Sequence, residues 1–369
     1  MPIKTEPTII NLGPQHPSTH GVFRLRVSFD GEKVIDVEPV FGYLHRGTEK
    51  LAEERTFTQI VTLTDRLDYE SSMTNNLAYV EAVELLANVS VPERAQYLRV
   101  LVSELQRIAS HLIFTGFFLQ ELGVFGTLLM YCFRERENVL DLFEMLCGAR
   151  ITVSYMRPGG VTQDAPPEFW KNLDDLLNKL PQLLDDLENL ITDNEIVLAR
   201  TKNIGILSPQ KAIDSSVTGP ILRASGIEWD IRKANPYEAY DKMDFNIPTG
   251  SNGDCFDRYL VRIKEIRESI NIIKQCIKSI PKKGPIKNSE VPFFLRPESG
   301  EVYSSIESPR GELGFYLVSD GGIAPYRCKI RSPSFINLTV LKPLLIGWKM
   351  SDLVVIFGSL AVNMGEVDR

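Results

Sequence analysis

Paired cysteines are missing from this 369-residue chain: the five present, Cys132, Cys147, Cys255, Cys276 and Cys328, are scattered, with no two close together. That spacing argues against a disulfide scaffold and a thiolate-ligated metal site, and it reads as single thiols in a reducing compartment. A Walker A loop, a Gly-x-Gly-x-x-Gly fingerprint after a strand and a Gly-x-Ser-x-Gly elbow are also absent, so neither a nucleotide held by this chain alone nor a serine hydrolase is supported. Positive charge is not in excess. With 41 Lys and Arg against 48 Asp and Glu, the formal charge is -7, which offers no basic footprint for nucleic acid. Long hydrophobic runs are lacking too. Residues 112–133 are interrupted by Gln120 and Glu121, and Leu353 to Met364 falls short of a bilayer span, so no transmembrane helix is expected and membrane association has to come through a partner. Met1 to Pro7 has no apolar core followed by a cleavage site, so no export signal is expected, and no internal repeat is found.

What the chain does have is a dense polar loop, Gly13-Pro14-Gln15-His16-Pro17-Ser18-Thr19-His20-Gly21, holding two of its four histidines. Prolines that lack an amide donor and terminal glycines exclude a helix and predict a tight, shaped turn. An imidazole there has two readings: it bonds back to the loop's own backbone, or it offers a proton near neutral pH. Zinc is disfavoured, because a histidine pair spaced by four residues needs one helical face to ligate it.

The length is enough for one large core or two to three modest ones. A strand over Thr8 to Leu12, alternating residues Phe23 to Phe29, an Asp30-Gly31 turn and a return strand Val34 to Val40 predict a small antiparallel sheet. Helical spacing then takes over from Thr48. It breaks at Asp65-Arg66-Leu67-Asp68-Tyr69, resumes through Met73 to Leu85, restarts after Pro92 and again over Thr127 to Cys147, and stops at Gly148. Residues Tyr155 to Gly160 read as a breaker, Pro167 to Asp193 as an amphipathic helix whose leucines are core rather than a zipper because Pro181 interrupts their run, 201–253 as a loop-rich tract, and Asp254 to Ile280 as a helix. A flexible connector over Pro281 to Gly300 precedes a three-strand meander, Val302 to Ile306, Gly314 to Ser319 and Tyr326 to Ile330, and a helical close. The expected class is α+β, with regions 1–47 (N-terminal sheet), 48–200 (helical bundle) and 201–369 (loop-rich, then α+β).

Several separated blocks carry a resemblance. They are the histidine loop, Tyr43-Leu44-His45-Arg46-Gly47-Thr48-Glu49-Lys50, the Asp65 to Tyr69 turn, Arg157-Pro158-Gly159-Gly160, Leu222-Arg223-Ala224-Ser225-Gly226, Gly253-Asp254 with Asp257-Arg258-Tyr259, and the closing Gly365-Glu366-Val367-Asp368-Arg369. In this order they resemble the 49-kilodalton subunit family of respiratory complex I, a family of NADH-quinone oxidoreductase subunits. That family is similar to the large subunit of nickel-iron hydrogenases but lacks the metal. The resemblance implies the hydrogenase large-subunit-like fold and a peripheral-arm subunit of a proton-translocating NADH:quinone oxidoreductase, active only when assembled. Its partners would be subunits B, C and I of the peripheral arm, the H subunit of the membrane arm and a membrane quinone, with no nucleic acid. Quinone would be a substrate, this chain would bind no metal or nucleotide, and the terminal 4Fe-4S cluster would sit on the neighbouring B subunit. The location implied is peripheral, on the cytoplasmic side of the cell membrane.

By position, the resemblance carries Tyr69 and His20 over as proton donors to the two quinone carbonyls. It places His16, Thr19, Gly21 and Glu121 in the quinone pocket and Arg46 and Arg66 near the cluster, and it leaves His45 to structure. The bland reading of the two arginines is salt bridging to Glu49, Asp65 or Asp68, which is compatible with the first. Three positions depart from the family pattern. Glu121 stands where many relatives have Asp, Thr152 where many have a titrating His, and Ala361 where some have an acid. From Thr152 we expect a cluster potential less dependent on pH. The other class of function open to the chain is a scaffold subunit with no catalytic role.

Overall fold

The structure, a computed structural model, describes residues 6–16, 21–124 and 126–369. Strand β1 (Thr8–Leu12) pairs antiparallel with β4 (Arg24–Asp30), which pairs with β5 (Lys33–Val40) through the Asp30-Gly31 turn. Period-two alternation puts Leu25, Val27 and Phe29 of β4 into the core, as a half-buried sheet requires. Between β1 and β4 the flanks of the histidine loop pair as two short strands, β2 (Gln15–His16) and β3 (Gly21–Val22).

Helices follow: α1 (Thr48–Glu53), α2 (Phe57–Thr64), α3 (Ser72–Ala87), α4 (Glu93–Glu121) and α5 (Thr127–Cys147). A reciprocal capping box between Thr56 and Gln59 starts α2, and Gly148 in the left-handed region ends α5. Helix α4 is the axis of the molecule. It is buried on nearly every side, packing against α3 and α5 and against two later helices, α11 (Cys255–Ser279) and α14 (Met350–Leu360).

After the hairpin β6 (Met156–Arg157) and β7 (Gly160–Val161), helix α6 (Pro167–Ile191) runs straight through Pro181. Its leucine stripe, including Leu173, Leu177, Leu180 and Leu184, is buried, and that packing outweighs the single amide a proline withholds. Helix α7 (Glu195–Thr201) leads into the tract read as loop-rich, which contains the short helices α8 (Pro209–Asp214), α9 (Pro220–Ala224) and α10 (Ile231–Ala234). Asn194, Ser208 and Asp230 cap three of them. The connector expected to be flexible is pinned to the β6–β7 hairpin, where Val161 N donates to Ile286 O at 3.0 Å and Asn288 N to Gly159 O at 2.8 Å.

The meander is β8 (Gly300–Ser308), β9 (Gly311–Ser319) and β10 (Arg327–Arg331), antiparallel in the order β10-β9-β8, with α3 packed on β8 and β9. Then come α12 (Pro333–Asn337), α13 (Leu341–Leu345), α14 and α15 (Met364–Asp368). The fold is thus α+β, as expected: an N-terminal antiparallel sheet, a helical centre and a C-terminal sheet with helices. No described helix is long and apolar enough to cross a membrane.

Candidate functional site

The turn between α2 and α3 carries Tyr69, and buried hydrogen bonds hold it on all sides. The Asp65 carboxylate accepts from Ser154 N and from Asn76 Nδ2, both at 3.0 Å, and from the Ser154 hydroxyl. Burial pushes the Asp65 carboxyl above its ordinary value, and those donors work in the opposite direction. Ser72 Oγ donates to Asp65 O at 2.9 Å, Asn75 Nδ2 to Asp68 O at 2.8 Å and Gln106 Nε2 to Glu70 O at 2.7 Å. The polar run Ser71, Ser72, Thr74, Asn75 and Asn76, at the start of α3, is therefore buried in service of this turn.

Tyr69 projects from the turn into a cleft of about 250 Å³. Ile113, Phe114 and Phe117 of α4 form its apolar wall. Glu70, Glu121, Arg310 and Asn363 supply polar groups, with Ala361 and Val362 opposite. The tyrosine is 39 % exposed, with its ring against Gly365, where a Cβ would lie 3.2 Å from Tyr69 Cδ1 and also collide with the Leu67 carbonyl oxygen. Burial, then Glu70 and Asp68, raise the phenol's pKa, against smaller opposing effects of Arg310 and an Asn363 hydrogen bond. The phenol accordingly keeps its proton at neutral pH and is available as a donor.

Behind it lies a knot of charge. Arg310 sits in the turn between β8 and β9, its carbonyl accepting from Asn337 Nδ2 at 3.1 Å, while Gly311 at φ 132 closes the turn. The Arg310 guanidinium donates to Asp68 Oδ2 at 2.7 Å and also binds the Glu70 carboxylate and the Ala361 carbonyl. Ala361, ending α14 at φ 54, presents that carbonyl from the left-handed region.

Glu366 of α15 is also buried here. Its carboxyl accepts from Ser334 N at 3.0 Å, and desolvation together with Asp68 raises its pKa to about 7 against the pull of Arg310. A folded-state carboxyl titrating above its unfolded value binds more protons folded than unfolded. Its contribution therefore makes stability fall as pH rises from 4.5 to about 7. Glu366→Gln should flatten that part of the profile, which urea unfolding of the full chain between pH 5 and 8 will measure. A wild-type and a variant curve of equal slope would contradict it.

Not every predicted residue lies in the cleft region described. Thr19 and His20 fall outside the described residues, and of His16 and Gly21 only the backbone pairing between β2 and β3 is described. Glu121 lines the cleft, its carboxylate so close to Gly358 of α14 that a Cβ there would overlap it. Arg46 and Arg66 are exposed, and among the described residues neither is ion-paired; Arg66 Nη1 donates to Thr62 O at 2.7 Å. The acids proposed for them are engaged elsewhere, Glu49 by Lys329 at 3.0 Å, Asp68 by Arg310 and Asp65 by Ser154. His45 is structural: its Nδ1 lies 2.6 Å from Asp368 O, while the Asp368 carboxylate accepts from Gly42 N and Leu44 N, both at 2.7 Å. Arg369 O accepts from Arg46 N and Thr48 N, both at 3.3 Å, and its guanidinium stacks 4.7 Å over Phe335. Among the described residues no group of three or more His, Cys, Asp or Glu side chains is placed to hold a metal ion.

Sequence reasoning missed Glu70, Arg310, Asn363 and the α4 aromatics as cleft residues, and Glu366 as a buried acid. The Pro309-Arg310-Gly311 turn and the closing Gly-Glu-Val-Asp-Arg block were the available signals.

Residues 121–299 and 293–369 match the family described as the 49 Kd subunit of respiratory-chain NADH dehydrogenase. The D subunit of NADH-quinone oxidoreductase from Dehalococcoides mccartyi is 58 % identical over 369 residues, covering all of both chains. A D 1 subunit of the same enzyme from a Roseiflexus species is 52 % identical over 373 residues, and the D subunit from Desulforamulus reducens 51 % over 368, again covering all of both chains. With full-length identity above half and a matching family over most of its length, the chain belongs to the 49-kilodalton subunit family of respiratory-chain NADH dehydrogenase, the family of the NADH-quinone oxidoreductase D subunits.

Proposed function

We propose that the cleft beside Tyr69 is where a membrane quinone is reduced, with electrons arriving from a terminal 4Fe-4S cluster on the neighbouring B subunit. The observation that carries this reading is one protonated phenol, fixed on a rigid turn, facing an aromatic wall across a cleft of about 250 Å³. A quinone head is a flat ring with two carbonyls that gain negative charge as electrons enter, so it needs apolar walls and proton donors. Two electrons and two protons convert it to the quinol. Tyr69 supplies one proton and His20, of the histidine loop, the other, with His16, Thr19, Gly21 and Glu121 as the further quinone-binding residues. Exposed Arg46 and Arg66 face the cluster-bearing subunit, where positive charge favours the reduced cluster. Subunits C and I and the H subunit of the membrane arm complete the setting, at the cytoplasmic side of the cell membrane, and reduction is coupled to proton transport through the membrane arm.

A photoreactive short-chain quinone irradiated in the assembled complex tests the site. Tags should fall on peptides carrying Tyr69, Ile113 to Phe117 or Ala361 to Asn363 and should be competed away by unlabelled quinone. Tags confined to other subunits, or indifferent to competitor, would leave the chain a scaffold.

A further inference from the structure

The groups that line the cleft present a puzzle for any ligand that becomes negative. Glu70 and Glu121 face it, and Arg310, the one cation among the described lining residues, is already shared by Asp68 and Glu70. On these groups alone, negative charge on a bound ring is opposed.

A second cation stands against one ring of the wall. Arg262 of α11 is 1 % exposed, and its guanidinium carbon lies 4.0 Å from the centroid of the cleft-lining Phe114 ring. Phe114 in turn stacks on Phe118, with centroids 5.3 Å apart, so the cation touches a ring that both lines the cleft and belongs to the aromatic stack behind it. Arg99, Arg107, Arg223, Arg232 and Arg310, also buried, are each ion-paired, whereas Arg262, like the buried Arg258, has no carboxylate partner among the described residues. Its hydrogen bonds go to carbonyl oxygens: Arg258 at 2.8 Å, Ser359 at 3.2 Å and Leu360 at 3.4 Å. The last two belong to the C-terminal end of α14, immediately before the cleft residues Ala361 to Asn363. Desolvation, and then Arg310, Arg258 and Arg223, bring its pKa down to about 9 against the pull of Glu265. A buried charge without a counter-ion is costly, and this one stands beside a cleft whose own lining is acidic.

We propose that Arg262 is a positioning residue that supplies fixed positive charge through the Phe114 wall, offsetting Glu70 and Glu121 and favouring the negatively charged form of the ring bound in the cleft. The inference rests on the quinone reading of the cleft. A cation held at this range in a partly dry site strengthens binding of an anion while leaving a neutral isostere nearly unaffected. The alternative role, propping the end of α14, makes no such distinction between ligands.

The experiment uses the assembled complex and two probes, an anionic hydroxynaphthoquinone and its neutral methyl ether, with affinity read by calorimetry. Arg262→Gln, which keeps amide donors for the α14 carbonyls, should weaken the anion about tenfold, equivalent to about 1.4 kcal/mol, and the ether less than twofold. Arg262→Lys should restore the anion's affinity. Equal weakening of both probes, or no weakening of either, overturns the proposal. The unaltered complex provides a check that does not depend on how the variants fold: it should favour the anion over the ether, and a preference for the ether also overturns the proposal. If the unaltered complex binds neither probe, the quinone reading itself falls and this inference falls with it. Probe binding with the wrong charge preference defeats the inference alone.

Discussion

Tyr69→Phe in the assembled complex should lower quinone reductase turnover about a hundredfold while leaving KM for quinone within a factor of two. The ring that packs on Gly365 and faces the Phe114 wall is kept, so ground-state contacts survive; only the O–H is lost. A positioned general acid contributes about 10²- to 10⁴-fold, and because the proton moves in the transition state the loss falls on kcat. The raised phenol pKa means that the group is in its donor form across the working range, so ionisation of Tyr69 should not limit the unaltered complex between about pH 6 and 8. Folding gives an internal control, since losing one hydrogen bond with Asn363 changes stability by about 1 kcal/mol at most. Undiminished turnover in a complex of normal composition would place the chain in the scaffold class.

The second large effect concerns stability. Arg310→Met should cost about 3 to 5 kcal/mol at pH 8, the range for stripping one partner from a buried ion pair. Asp68 and Glu70 lose their cation, Glu366 loses the charge that restrains its pKa, and the Ala361 carbonyl loses its donor. Carboxylates left without a counter-charge in a buried site hold protons to higher pH, so folding of the variant takes up protons and the deficit should shrink as pH falls toward 6. Urea unfolding of the full chain at both pH values decides it. A deficit under 1 kcal/mol at both would mean that the network is not a stabilising unit.

The parts of this molecule legible in sequence are those where a local rule and the packing agree. Alternation in Arg24 to Asp30 with the Asp-Gly turn predicts the β4–β5 hairpin, and Gly148 marks the end of α5 because a left-handed residue is needed there. Helix α6 is legible despite Pro181, because its leucine face holds both halves against the core. Residues 201–253 mislead: helices of four to six residues are too short to show a period, and only their caps, Ser208 and Asp230, betray them. In the cleft, Tyr69 and Glu121 were reachable through resemblance. Arg310, Asn363 and Phe117 were not, since each is a single residue whose meaning comes from neighbours far away in the chain. Arg262 carries the least signal of all: an arginine at a helical position looks like a solvated face until its burial is known.

The knot of Asp68, Arg310 and Glu366 ties together three stretches lying far apart along the polypeptide. Loops of that size close late, because contacts so remote in sequence form only after nearer ones have shortened the effective path between them. The cavity beside Tyr69 therefore exists only where all three stretches are in place. Any ligand that binds beside Tyr69 then adds its binding free energy to the completed tertiary structure alone.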